Sequence, residues 1–160
     1  MKTIVKTLTF FILIFYVTAC AGYKPIFVKS NLNFEISDYS IIGDKTLGKK
    51  LYSKLRNLSK SKKDNVRKLI ININVIKNKV ATVKNSAGQI LEYRISLNTE
   101  IKIKNFLNGN EVLKYKFSSS SSYKVQDQYS ETVTLENKNI ENLLNKNFLD
   151  LLSKMSEKII

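Results

Sequence analysis

The sequence predicts an α+β domain: two amphipathic helices packed on one face of a mainly antiparallel four-stranded sheet, as a two-layer sandwich. Three observations predict it. Apolar and polar residues alternate along three long segments between residues 66 and 125. Leucines recur at helical spacing just after Gly43-Asp44, and a second, longer helical stripe fills the C-terminus. One-sided helices and a one-sided sheet bury their apolar surfaces by stacking on each other.

The chain opens with Lys2 and Lys6, then an uncharged run from Thr7 through Tyr23 with its apolar centre at Leu8–Val17. A basic flank before a short apolar core is the layout of a signal peptide. A permanent span needs ~20 predominantly apolar residues, about twice what this centre offers. The run ends in Val17-Thr18-Ala19-Cys20, which resembles the bacterial lipobox. Small residues fit the peptidase site, and the thiol is needed because a diacylglycerol is attached to sulfur. The amino group freed by cleavage takes a further acyl chain of the palmitate type. Each buried methylene contributes ~0.8 kcal/mol, so two or three chains hold firmly where one does not. Cys20 is the sole cysteine, so an internal disulfide is excluded. Residues 1–19 therefore read as a lipoprotein leader, 20–31 as a lipidated tether interrupted by Gly22 and Pro25, and 32–160 as the folded domain. Ala21, where Asp would resemble an inner-membrane retention signal, points to the outer membrane, on its periplasmic side.

Leu32–Ile36 alternates and reads as a short strand. Asp44 is placed to cap a helix whose stripe is Leu47, Leu51, Leu55 and Leu58. Ser59–Asp64 is a polar, basic loop. A strand follows near Val66–Val83, with Leu69, Ile71, Ile73 and Val75 on one face. Ile76 and Val80 break its parity, which predicts a bulge near Lys77–Lys79. After a turn at Asn85–Gly88, the strand at about Gln89–Lys104 sends Leu91, Tyr93, Ile95, Leu97, Ile101 and Ile103 one way and Arg94, Lys102 and Lys104 the other. Asn108-Gly109 signals a hairpin. The last strand, about Glu111–Val125, keeps Leu113, Tyr115, Phe117, Tyr123 and Val125 on one face across the serine run Ser118–Ser122. A helix at about Glu136–Glu157 carries Ile140, Leu143, Leu144, Phe148, Leu151, Leu152 and Met155. The polar sheet face thus presents Arg94, Lys102, Lys104, Lys114, Lys116 and Lys124 as candidate contacts for an anionic partner.

The composition bounds function. Without the leader, 25 basic residues face 13 acidic ones, a net charge of +12. Such an excess suits an anionic partner, and export favours anionic lipid or phosphorylated glycolipid over nucleic acid. An AT-rich genome that fills solvated positions with lysine would give the same excess with no ligand. There is no histidine and no second cysteine, so the common metal ligands, the neutral-pH proton carrier and a thiol nucleophile are missing. No glycine-rich phosphate loop or Gly-x-Ser-x-Gly turn occurs. The expectation is a protein that is no enzyme and holds no metal or cofactor beyond the lipid on Cys20.

With these elements in place, the chain resembles the lipopolysaccharide-assembly lipoprotein family LptE, also called RlpB. The segment Cys20-Ala21-Gly22-Tyr23-Lys24-Pro25-Ile26-Phe27 is similar to the family's opening, with Ala21 as an extra residue. The leucine-spaced helix after Asp44, the strand Tyr93-Arg94-Ile95-Ser96-Leu97 and the stretch Ser122–Ser130 resemble later family elements in order and spacing. The resemblance implies a non-catalytic plug and assembly aid inside an LptD-like outer-membrane β-barrel, binding lipopolysaccharide on its way to the outer leaflet. The alternative is a free-standing lipoprotein that binds anionic lipid or cell-wall polymer.

Overall fold

A computed structural model of the chain describes residues 33–59 and 66–159, so the leader, the tether and Cys20 lie outside the described residues. The element order is β1 (Phe34–Gly43), α1 (Lys45–Leu58), β2 (Arg67–Lys84), β3 (Ile90–Asn105), β4 (Glu111–Lys124) and α2 (Tyr129–Ile159). The strands form one sheet in the order β1-β2-β3-β4. β2, β3 and β4 pair antiparallel, but β1 runs parallel to β2. The sheet is therefore mixed, and the expectation of a mainly antiparallel sheet is corrected. The cause is the connection: a helix between neighbouring strands returns the chain to the end where it began, which lets the next strand run the same way.

β1 is longer than the sequence pattern indicates. Its register with β2 shifts between Ile36 and Asp38, which breaks the alternation that marks a strand by eye. Beyond the shift, Ile41 pairs with Ile73 and Ile42 with Asn74. Gly43, at φ 76°, turns the strand into α1. A Cβ at that position would run into the carbonyl of Val75. Asp44 then caps α1 as expected, its Oδ1 accepting from the N–H groups of Thr46 and Leu47 at 3.1 and 3.0 Å. Leu47, Leu51 and Leu55 are buried, whereas Leu58 is exposed. Gly48 lets α1 approach β1 closely, because a Cβ there would collide with the Ile41 side chain. Tyr39 and Tyr52 stack beside it, ring centroids 3.9 Å apart.

β2 and β3 stay in register from Leu69↔Asn105 to Ala81↔Tyr93, and the register shifts only beyond that, between Ala81 and Val83 and again between Val83 and Lys84. The bulge expected at Lys77–Lys79 is thus corrected: β2 runs straight through it, and Ile76 and Val80 face outward, 48% and 53% exposed. The odd-numbered residues Leu69, Ile71, Ile73, Val75, Ile95, Leu97, Ile101 and Ile103 are fully buried, and they share one core with Leu113, Phe117 and Tyr123 of β4. The helix leucines and Met155 join that same core. The serine run is strand, paired with β3 throughout.

α2 starts at Tyr129, seven residues before the sequence pattern marks it. Its first turns hold Thr132, Val133 and Thr134, poor helix formers stabilised here by tertiary bonds. Thr132 Oγ1 accepts from the Gln126 N–H at 2.9 Å and is buried. Further along, Asn147 is buried and donates to Thr99 Oγ1 at 3.1 Å, while Asn147 Oδ1 and the buried strand hydroxyl Ser119 Oγ have no hydrogen-bond partner among the described residues. Near its start, α2 is pinned to the sheet by Glu136. Its Oε2 accepts from Lys79 Nζ at 2.5 Å and from the Tyr123 hydroxyl at 2.9 Å. The Lys79 ammonium also lies 4.2 Å from the centre of the Tyr93 ring. Burial pushes the Glu136 carboxyl up, but the hydrogen bonds from Lys79 and Tyr123 and the charges of Lys79 and Lys77 outweigh it, and the group titrates below its ordinary 4.5. The hydrogen bond to Glu136 holds Lys79 well above its ordinary 10.5.

Two outcomes are expected. Asp44→Ala removes the acceptor for two helix N–H groups and should cost about 1 kcal/mol in chemical denaturation. Glu136→Gln should cost about 1 kcal/mol at neutral pH, the value for a partly solvated pair. Because the folded carboxyl is depressed, its stabilisation is complete above pH 4.5 and is lost as pH falls through the folded value. Lys79, being raised, loses its contribution only on the alkaline side, beyond 10.5. Denaturation curves of the two proteins should therefore converge as pH drops below 4.5, and a gap that persisted there would point to packing instead.

Candidate functional site

The alternation that buries the odd-numbered side chains turns the even-numbered ones of β2, β3 and β4 to the opposite face. The register places them in cross-strand rows. Asn72, Lys102 and Lys114 form one row, and Asn74, Glu100 and Lys116 the next. Then come Ile76, Asn98 and Ser118, followed by Asn78, Ser96 and Ser120, and by Val80, Arg94 and Ser122. Lys124 lies opposite Glu92 at one end, and Lys104 opposite Glu111 at the other.

All six basic residues singled out in the sequence thus share this face, but in two groups. Lys102, Lys104, Lys114 and Lys116 cluster at the end near the β3–β4 turn, while Arg94 and Lys124 stand at the other end. Eight residues separate Arg94 from Lys102, roughly 27 Å of strand. Between them lies a field of small neutral side chains, in which Ser118 Oγ donates to Asn98 Oδ1 at 2.9 Å.

Lys102 and Lys114 sit directly opposite each other, an arrangement of like charges that destabilises a sheet. Glu100 relieves it in part: its carboxylate lies 3.5 Å from Lys102 Nζ and 3.8 Å from Lys116 Nζ. Two carboxylates, Glu100 and Glu111, among four lysines leave the cluster with surplus positive charge, and the Lys116 side chain is 74% exposed. Cross-strand lysines of this kind suit a ligand with closely spaced anionic groups.

The sequence reading missed the apolar component of this face. Ile76 and Val80 lie on it, and Ile42 of β1, paired with Asn74, is 62% exposed. A shallow depression of about 330 Å³ runs between the two chemistries, lined by Asn74, Ile76, Asn98, Glu100, Lys116 and Ser118. The signal in the sequence is the broken parity of Ile76 and Val80, which marks two apolar side chains on the outward face of a straight strand. The face is amphipathic: Ile42, Ile76 and Val80 stand among asparagines on the β1–β2 side, hydroxyl and amide groups fill the middle, and the turn end of β3 and β4 is cationic.

Comparison with known proteins adds the fold's relatives. No protein-family model matches the sequence, and no curated protein does. Among solved structures, the chain is similar to rare lipoprotein B from Shewanella oneidensis, at 14% identity and a TM-score of 0.51, covering 74% of this chain and 95% of that one. It is also similar to an uncharacterized lipoprotein B from Nitrosomonas europaea, at 13% identity and a TM-score of 0.54, covering 77% of this chain and 84% of that one. At these identities the likeness is one of fold: this chain shares the architecture of these two lipoproteins over most of its length.

Proposed function

We propose that this protein is a lipid-anchored subunit of the lipopolysaccharide translocon, an LptE-type plug and assembly partner for an LptD-like barrel on the periplasmic side of the outer membrane. It performs no chemistry. Its open sheet face meets lipopolysaccharide on its way to the outer leaflet. The observation that carries this reading is the amphipathic character of that face. Lipopolysaccharide brings phosphates and acyl chains on one molecule, and the face offers a lysine cluster with exposed Ile42 and Ile76 beside it. The lipobox at Cys20 and the fold shared with rare lipoprotein B support the same reading. A polar sheet face also suits the interior of an outer-membrane barrel, which is itself polar. Exposed lysines in water bind phosphate weakly, and a transit site needs such reversible contact.

Two measurements test it. The lipidated protein, extracted in mild detergent, should bring down a large outer-membrane barrel. A protein that purifies alone yet binds anionic vesicles would replace this reading with that of a free-standing lipoprotein. Lys114→Glu together with Lys116→Glu should weaken association with lipopolysaccharide by on the order of tenfold, as expected from reversing two solvated contacts. Both side chains are exposed, so the fold should survive and circular dichroism should be unchanged. Unaltered binding would assign these lysines to solvation alone.

A further inference from the structure

The β3–β4 turn holds two large apolar side chains in solvent where turn chemistry requires neither. Phe106 is 48% and Leu107 83% exposed. The rest of the turn is accounted for by local bonds. Asn105 Oδ1 accepts from the Leu107 N–H at 2.8 Å, and Asn108 Oδ1 from the Asn110 N–H at 3.0 Å. Gly109, at φ 68°, donates its N–H to the Asn105 carbonyl at 2.9 Å. Asparagine and glycine are what such a turn selects. The Phe-Leu pair adds nothing to it except a firmly held apolar tip.

The second observation is the place of that tip. The Phe106 N–H donates to the Lys68 carbonyl at 2.9 Å, and the Arg67 N–H to the Asn33 carbonyl at 3.4 Å. The turn therefore sits at the same end of the sheet as the start of β1, two strands across, about 10 Å away. Asn33 is where the described chain begins, and the stretch from Cys20 to Asn33 reaches at most roughly 45 Å even when fully drawn out. The opposite turn, Asn85–Gly88, lies beyond the far end of β2, about 60 Å off. Charge agrees with the position. Arg67, Lys68 and Lys104 flank the tip, offset in part by Glu35 and Glu111, and Lys102 and Lys114 stand one row behind.

We infer that Phe106 and Leu107 form a bilayer-contacting tip, which dips into the phospholipid headgroups of the same leaflet that holds the acyl chains on Cys20. This rests on the lipid-anchor reading above. With the anchor and the tip both seated, the sheet stands on its turn end at the periplasmic rim of the proposed barrel, with its strands directed toward the lumen.

The test uses full-length lipidated protein in vesicles of phosphatidylethanolamine and phosphatidylglycerol containing spin-labelled lipid. A polarity-sensitive dye is attached at Leu107→Cys or, as the far-end control, at Ser86→Cys. An acylated Cys20 has no free thiol, so each chain takes one dye. The dye at Leu107→Cys should emit further to the blue and be quenched several-fold more than at Ser86→Cys, and adding Phe106→Asn should reduce that quenching. Equal quenching at both sites, or none at either, overturns the tip. A blue shift without quenching means that a second protein copy covers the turn, and also overturns it. Failure of the anchor is read separately, as an intact mass without acyl groups and two dyes per chain. In that case Cys20→Ser carries the same comparison, and preferential quenching at Leu107→Cys still supports the tip.

Discussion

The structure depends on one constraint: from Leu69 to Ala81 of β2, and along the facing parts of β3 and β4, the strands are in phase, so that the odd-numbered apolar residues reach the same face. Ile71 meets Ile103, Ile73 meets Ile101, and Ile101 in turn meets Tyr115. A slip of one residue between β2 and β3 would carry Ile95, Leu97, Ile101 and Ile103 into water and Arg94, Lys102 and Lys104 into the core. Burial of a Leu or Ile side chain contributes about 1.5–3 kcal/mol, so such a slip would forfeit most of what the sheet gains. Two asparagine-rich turns fix the phase at both ends. Asn85 Oδ1 accepts from the N–H groups of Ala87 and Gln89, and Asn105 and Asn108 do the corresponding work at the other turn. The same phase that builds the core builds the open face, because neither can be assembled without the other.

Much of this was legible in the sequence, and where it was not the reasons are local. The alternation of Leu91 through Ile103 gave β3 almost to the residue, since a strand buried on one face writes its period directly. The cap at Asp44 was legible because a side chain bonding two or three residues ahead leaves its mark in the sequence. β1 was not, because the irregularity after Ile36 scrambles its period and Ser37-Asp38 resembles a loop. Its direction was not legible either: pairing partners are set by the whole topology, and no residue of β1 encodes whether its neighbour runs with it or against it. The early start of α2 was hidden by β-branched residues whose helical state is set by tertiary bonds, such as the one from Gln126 to Thr132.

For the candidate site, the sequence placed the charged residues on the correct face and their spacing along it followed from the strand rise. It left out the company they keep. Ile76 and Val80 looked like interruptions of an inward pattern, whereas they belong to an outward one. Glu100 illustrates the same limit: as one polar residue in an alternating run it carried no special signal, yet the register brings it between Lys102 and Lys116. Cross-strand neighbours come from pairing, and pairing is the part of a sheet that a linear pattern expresses least.

The buried contact between Asn147 and Thr99 has a consequence for how α2 settles. The apolar stripe of α2 repeats at nearly every turn, through Leu143, Leu144, Phe148, Leu151, Leu152 and Met155. Greasy surfaces are forgiving, and a helix so uniformly coated could ride one turn, about 5.4 Å, up or down its bed and still bury leucine. An amide permits no such drift: displaced by a turn, it would exchange the threonine hydroxyl for aliphatic carbon. Asn147 works as a detent, giving a long helix one seat along its own axis.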